Sequence, residues 1–397
     1  MKKSQPVATI AGVLIISMMV LGFFQGWFES IENQPQNHST VQAEPALASE
    51  SKPEKLLSPQ PSDSSTLPEI QPKPGQLTVE LTEQQPAVQP PMVVLPELTT
   101  VAVRQDYYNS LLQQQPITLW QQWIALLEAA DKNHQMAWML IGYALPYQLQ
   151  THQNQELVYQ QMADIVSHSS LKASEQTIQI LGWTATVPAL QILLDETLRH
   201  SPDSEMRLKL LYAIEQLADI RWDNRFHPEL SPLLETAWQQ VQHTEDMPLL
   251  LTISVALAKI GTPEGVELLF NSMTNSEVDI QEQPPQVIAA LKAIREVRNP
   301  VLVPLLANNL TAYQPDQPIF RLSGEALATM GNLQATKHLF NWATEAPEPM
   351  AALTNDWFSL LKDTQSWNWI VTQLEENPSF LSQQVKQAVI NGIENSR

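Results

Sequence analysis

The chain has 397 residues, with 22 Lys+Arg against 42 Asp+Glu and a formal net charge of −20. That acidic balance rules against binding a nucleic-acid backbone, which needs a net basic face. With no cysteine at all, disulfides, Fe–S clusters, thiolate zinc sites and cysteine nucleophiles are excluded together, and the chain suits an oxidising compartment.

Residues 1–28 have the pattern of a membrane anchor. Lys2 and Lys3 are the only charges before Glu29, and Val7 to Phe24 is an uncharged run near the lower length limit for a spanning helix. Gln25, Trp27 and Phe28 supply a polar and aromatic end suited to the interface. Lysines before the span and acids after it place the N-terminus in the cytoplasm and the remainder outside. The competing reading is a cleaved signal peptide, but its apolar region would be unusually long. No small-x-small site lies nearer than Val41-Gln42-Ala43. The expectation is a single-pass inner-membrane protein, held through residues 7–28, with a periplasmic C-terminal domain.

Residues 29–100 read as a disordered linker. They hold 12 prolines, 9 glutamines, 8 serines, one glycine and no Phe, Trp or Tyr. Such a composition cannot bury enough apolar area to offset its ordering entropy. Many prolines with one glycine favour extended stretches, with a limiting reach of roughly 200 Å at about 3.1 Å per residue. The segment reads as a spacer. The sharper alternative is a docking motif, Leu67-Pro68-Glu69-Ile70 or Met92-Val93-Val94-Leu95-Pro96.

Residues 101–397 read as an all-α domain. Ten of the eleven tryptophans fall here, and apolar residues recur at helical spacing, as in Leu119, Trp123, Leu126 and Leu127 or Leu208, Leu211, Ile214 and Leu217. Three segments repeat: Ser254–Met273, Ala290–Leu310 and Gly324–Ala343. Each is an Ala/Leu-rich helix end, a two-residue turn and a new apolar helix. The turn Gly261-Thr262-Pro263 matches Arg298-Asn299-Pro300 and Gly331-Asn332-Leu333. Thr262 and Asn299 suit the N-cap, and Pro263 and Pro300 suit the first helical position. Gly261 and Gly331 suit a left-handed residue closing the previous helix. Arg298 does not, so that turn is expected to close differently. Fainter copies extend upstream. One, Ile178–Leu194, sets Thr186-Val187 against Gly265-Val266. Another, Ser204–Leu234, has its turn swollen to Asp219–Glu229. Tyr107–Ile165 reads as three or four helices, and Pro349–Asn395 as a terminal pair or more.

The unit Ala256-Leu257-Ala258-Lys259-Ile260-Gly261-Thr262-Pro263, with Val266 and Leu269, resembles the HEAT repeat, especially the short bacterial type also found in phycobilisome lyases. The resemblance covers about Leu171 to Ala346. It implies an α-solenoid of helical hairpins that presents a surface to protein partners. The Asp and Arg ladder usual in that family is degenerate, with only Arg207 and Arg321 near an expected arginine position. The tetratricopeptide repeat is the rival, with some of its flavour in Trp138–Ala144. A period of 37 residues and the Thr/Asn-Pro turn fit HEAT better.

No catalytic, cofactor or metal site emerges. None of the eight histidines pairs with another at ligand spacing, and HExxH, GxSxG, P-loop and GxGxxG patterns are absent. Adjacent acids such as Asp195-Glu196 read as surface residues. The unusual cluster is the swollen turn, which holds Arg221, Trp222, Arg225, Phe226 and His227. Trp and Arg are enriched in binding hot spots, and insertions in a solenoid collect along one edge. The alternative is that its aromatics fold back on the core. Trp357, Trp367 and Trp369 read as a cap over the open end of the stack, or else as an aromatic glycan or peptide site. The domain carries 32 acids against 17 bases, which reads by default as a solvated acidic surface and, functionally, as suited to a basic protein partner. The expected function is a non-enzymatic scaffold or adaptor in a cell-envelope assembly. The alternative is an enzyme or accessory enzyme subunit acting on envelope polymers or proteins. The oligomeric state is not readable.

Overall fold

The computed structural model describes residues 95–396 apart from 129–130, 153–154, 220–224, 274–282, 347–349, 362, 378 and 380. The expected anchor, the linker as far as residue 94, and Arg221 and Trp222 lie outside the described residues. No helix among the described residues is long and apolar enough to cross a membrane.

Seventeen α-helices follow one another, with no strand among the described residues. They are α1 Val101–Leu111, α2 Pro116–Leu126, α3 Lys132–Thr151, α4 Glu156–His168, α5 Leu171–Trp183 and α6 Val187–Arg199. Next come α7 Glu205–Leu217, α8 Ser231–Val241, α9 Met247–Ile260, α10 Pro263–Asn271, α11 Pro285–Ala293 and α12 Val303–Ala312. The last are α13 Pro318–Thr329, α14 Leu333–Glu345, α15 Ala351–Phe358, α16 Thr364–Glu376 and α17 Gln383–Ser396. Among the described residues three 3-10 turns, Pro228–Leu230, Ile294–Glu296 and Pro300–Leu302, interrupt the series. The upstream region resolves into four helices and the terminal region into three.

The helices form two layers by alternation. Each odd-numbered helix packs on the next odd-numbered one from α1 to α17, and Ile294–Glu296 carries the contact from α11 to α13. Even-numbered helices do the same from α2 to α10 and from α12 to α16. Small residues let the odd layer close up. A Cβ on Gly182 of α5 would stand 3.0 Å from the Ala213 Cβ of α7. Ser254 of α9 donates to the Ala289 carbonyl of α11 at 3.3 Å. Both layers bury large side chains in the core, among them Trp120, Trp238 and Phe340 of the even helices and Trp357 and Phe358 of the odd ones. A single apolar core runs between the layers from Leu98 to Ile393.

Turn chemistry explains the hairpins. Gly261 and Gly331 have φ of 64° and 63°, the left-handed region where a Cβ is penalised. Thr262 accepts from the Gly265 N–H at 3.2 Å, and Asn332 accepts from Gln334 and Ala335 at 2.8 and 3.3 Å. The Arg298 turn does close differently. Its helix ends in a 3-10 turn, Val297 is extended, and the Arg298 guanidinium donates to the carbonyls of Arg295 and Val297 at 2.7 and 2.6 Å. A side chain thus satisfies carbonyls at a helix end that lacks a left-handed residue. One expected alignment shifts: Thr186 is the N-cap of α6, so it corresponds to Thr262 and not to Gly265.

One rung of an Asp/Arg ladder is present. Arg207 of α7, almost fully buried, pairs with Asp246, which also caps α9 by accepting from Leu249 N–H at 3.2 Å. Arg321 makes no such rung; it is exposed and donates to the Pro315 carbonyl at 3.0 Å. The chain entering α1 is also fixed. Asn133 accepts from Leu98 N–H at 2.8 Å and donates to the Pro96 carbonyl at 2.9 Å, and Leu98 is buried.

Candidate interaction surface

The swollen turn begins where α7 ends. Asp219 accepts from Lys259 of α9 at 3.2 Å, and both side chains are largely buried. After the segment that holds Arg221 and Trp222, Arg225 donates to Gln150 of α3 at 2.9 Å. His227 meets Glu229 at 3.0 Å, with its ring mostly buried, and Phe226 is half-buried. The two described ends of the connection therefore sit on different hairpins, α9 on one side and α3 on the other. Arg225 thus bonds to another hairpin and His227 to its own turn, with Phe226 between them in the chain.

The C-terminal tryptophans separate. Trp357 is buried against Gly324, Phe320 and Trp342, so it belongs to the core. Trp367 donates to the Leu361 carbonyl at 3.2 Å. Trp369 lies edge-to-face with Phe340, with the Lys337 ammonium 5.8 Å from its ring centre. An open cavity of about 290 Å³ is lined there by Phe340, Asn341, Thr344, Trp369 and Gln373. A second hollow of about 680 Å³ lies between α15 and α17 and is lined by amide side chains such as Asn355, Gln384 and Asn391.

Asp195 is exposed as expected, but Glu196 is not a surface residue. It is only 4 % exposed, accepts from Ser167 of α4 at 2.6 Å and pairs with Arg199. Glu196 shares the buried stripe of Ala189, Leu193 and Thr197, a helical spacing visible in the sequence. Tyr159 is also buried, with its hydroxyl 2.7 Å from that of Thr186, and burial pushes its pKa to about 12. Among the described residues, no group of three or more His, Asp or Glu converges as a metal would require.

Charge divides between the layers. The even-numbered helices carry ten acids (Glu156, Asp164, Asp195, Glu196, Glu235, Glu264, Glu267, Glu345, Glu375 and Glu376) and two bases, Arg199 and Lys337. The odd-numbered helices carry seven acids and nine bases. In the central odd helices the acids are engaged between hairpins. Glu175 pairs with Lys209, Glu325 with Arg295 at 2.8 Å, and Glu215 accepts from Thr252 at 3.1 Å.

No family model matches the chain, and no curated protein matches its sequence. Among solved structures, human deoxyhypusine hydroxylase in complex with glycerol matches 74% of this chain and 97% of its own, with 13% identity and a TM-score of 0.23. That neighbour is a HEAT-repeat-like helical protein. An overlap this loose transfers no residue roles. The matched protein is by name an enzyme, which runs against the expectation of a non-enzymatic chain, though an overlap this loose says nothing of this chain's own activity.

Proposed function

We propose that the chain is a membrane-anchored HEAT-like repeat protein, held through residues 7–28, whose helical domain serves as a protein-binding scaffold or adaptor in a cell-envelope assembly. The observation that carries this reading is the two-layer ladder of hairpins, which leaves long helical faces and two open hollows. A stack of this kind offers extended surface to a protein partner. The acidic surplus favours a basic partner and would steer the encounter.

The test is a C-terminal phosphatase fusion combined with cross-linked capture of the tethered protein from membranes. Activity of the fusion, a membrane-bound product that begins near Met1, and one captured protein would support it. A soluble product beginning near Glu44 would refute the anchor. Loss of that capture on Trp222→Ala with Arg225→Ala would put the contact at the swollen turn, and unchanged capture would put it elsewhere on the domain. The second reading is an enzyme or accessory subunit acting on envelope polymers or proteins. Turnover of isolated cell-wall polymer or envelope protein by the purified chain would decide for it.

A further inference from the structure

We propose that the even-helix face of α4, α6, α8 and α10 is the docking surface, and that its occupant is a basic amphipathic helix of another protein. The inference deepens the scaffold reading and rests on it.

The argument begins with which charges are already used. Acids on the central odd helices are tied to Lys209, Arg295 or Thr252 of neighbouring hairpins. The exposed acids of the even face are not: Asp164 of α4, Asp195 of α6 and Glu264 and Glu267 of α10 have no basic partner among the described residues. Asp195 accepts only from Gln191 at 2.8 Å, and Glu235 of α8 only from Ser231 at 2.7 Å. Asp164, Asp195, Glu235 and Glu267 thus supply one such carboxylate on each of four neighbouring helices. With helix axes about 8–10 Å apart, they span roughly 30 Å, the length of about 20 helical residues.

On α4 and α6 this face also leaves apolar side chains uncovered, as the odd helices do at Tyr147, Leu171, Leu208 and Tyr212, so the unpaired carboxylates are what set the even face apart. Leu157 is 56 % exposed, Leu198 55 % and Val187 41 %. On α6, Val187, Gln191, Asp195 and Leu198 follow one another along the outer stripe, so a carboxylate and an amide lie between two apolar side chains on one helix. An isolated acidic surface would suit any cation. Leucines interleaved with unpaired carboxylates suit a surface that brings both apolar and basic groups at helical spacing. Charge complementarity then excludes acidic partners and speeds association with basic ones.

The test uses the full-length protein in a neutral detergent, with a photo-reactive residue in place of Gln191 on the even face or Gln179 on the odd face. Gln191 and Gln179 are both exposed. The probe is an 18-residue Leu/Lys peptide with amphipathic helical spacing, and its Leu/Glu counterpart is the control. We expect cross-linking at position 191 at least tenfold above position 179, and none with the Leu/Glu peptide. Asp164→Asn with Asp195→Asn and Glu267→Gln should cut the yield at least fivefold, as should Leu157→Ser with Leu198→Ser. Asp106→Asn with Asp356→Asn and Glu394→Gln removes the same charge from the ends of the odd layer and should leave the yield unchanged. Equal labelling at both positions, or equal losses from both charge variants, would overturn the assignment of the face while leaving a basic partner in place. No labelling at either position would overturn the basic-partner reading itself.

Discussion

Gly261 and Gly331 close equivalent turns with nearly the same left-handed φ, yet their surroundings differ, and this makes a paired test of how the hairpins stack. An alanine in that region costs about 1–2 kcal/mol from the backbone alone. At Gly331 nothing lies within 4 Å of the added Cβ, so Gly331→Ala should cost only that amount. At Gly261 the Cβ would stand 2.7 Å from the Asn299 Cβ of the next repeat, closer than packed carbons approach. Asn299 cannot simply withdraw, because its amide donates to the Ile260 carbonyl at 3.0 Å and its side-chain oxygen accepts from Val301 N–H at 3.2 Å. Overpacking of this kind adds about 1–3 kcal/mol. Gly261→Ala should therefore destabilise by about 2–5 kcal/mol, and the excess over Gly331→Ala isolates the contact between hairpins. Urea unfolding of the full chain, followed by far-UV circular dichroism, measures both. In a double-mutant cycle, Asn299→Gly removes the clashing Cβ and should recover most of the excess. Equal costs at the two glycines, or no coupling to Asn299, would refute the stacking of α9–α10 on the Asn299 turn.

The buried rung gives a second prediction. Asp246→Ala should destabilise by about 3–5 kcal/mol, because it leaves Arg207 buried without its counter-charge, whereas Asp246→Asn, which still caps α9, should cost less. A third concerns acid. Burial works against ionisation of Asp363, but the bonds it accepts from Ser366 and Gln365 outweigh this and hold its carboxyl below the usual range. A lowered folded value means that the stabilisation is present above about pH 4, the ordinary value, and is lost as pH falls through the lowered one. Asp363→Asn should flatten that part of the pH–stability curve, and an unchanged slope would count against the cap. The fourth is that Trp357→Ala, which opens a cavity in the core, should cost about 3–5 kcal/mol, while the half-buried Trp369 costs clearly less in the same unfolding assay.

What could be read from the sequence was the local chemistry. Gly261, Thr262 and Pro263 act on backbone groups within a few residues of themselves, so their roles as left-handed closure, cap and first helical residue follow from residue type. The mismatch at Arg298 was visible for the same reason. Glu196 was misread because its partner Ser167 lies 29 residues away, and adjacency to Asp195 drew attention from the stripe the two residues straddle. The division of charge was hidden for a different reason. Successive helices alternate between layers, so a running count mixes the two faces and shows only a general acidity. The exposed acids of α4 to α10 become one surface only when α4 is known to lie beside α6 and not beside α5 alone.

The swollen turn has two physical readings. From composition alone, arginine, tryptophan and histidine in an interrupted repeat point outward to a partner. Yet a longer connection is also what a chain needs to reach past its immediate neighbour, and the described ends reach α9 through Asp219 and α3 through Arg225. Both explanations use the same residue types, because a guanidinium bonds equally well to a partner or to Gln150. What separates them is whether the donor groups are engaged in the folded chain, and those of Arg225 and His227 are. A partner at this edge would have to compete with those internal bonds. On the even face, by contrast, it would meet carboxylates that no base already holds. That difference is the physical ground for placing the docking surface along α4 to α10 and treating the turn as a tie that keeps the hairpins in register.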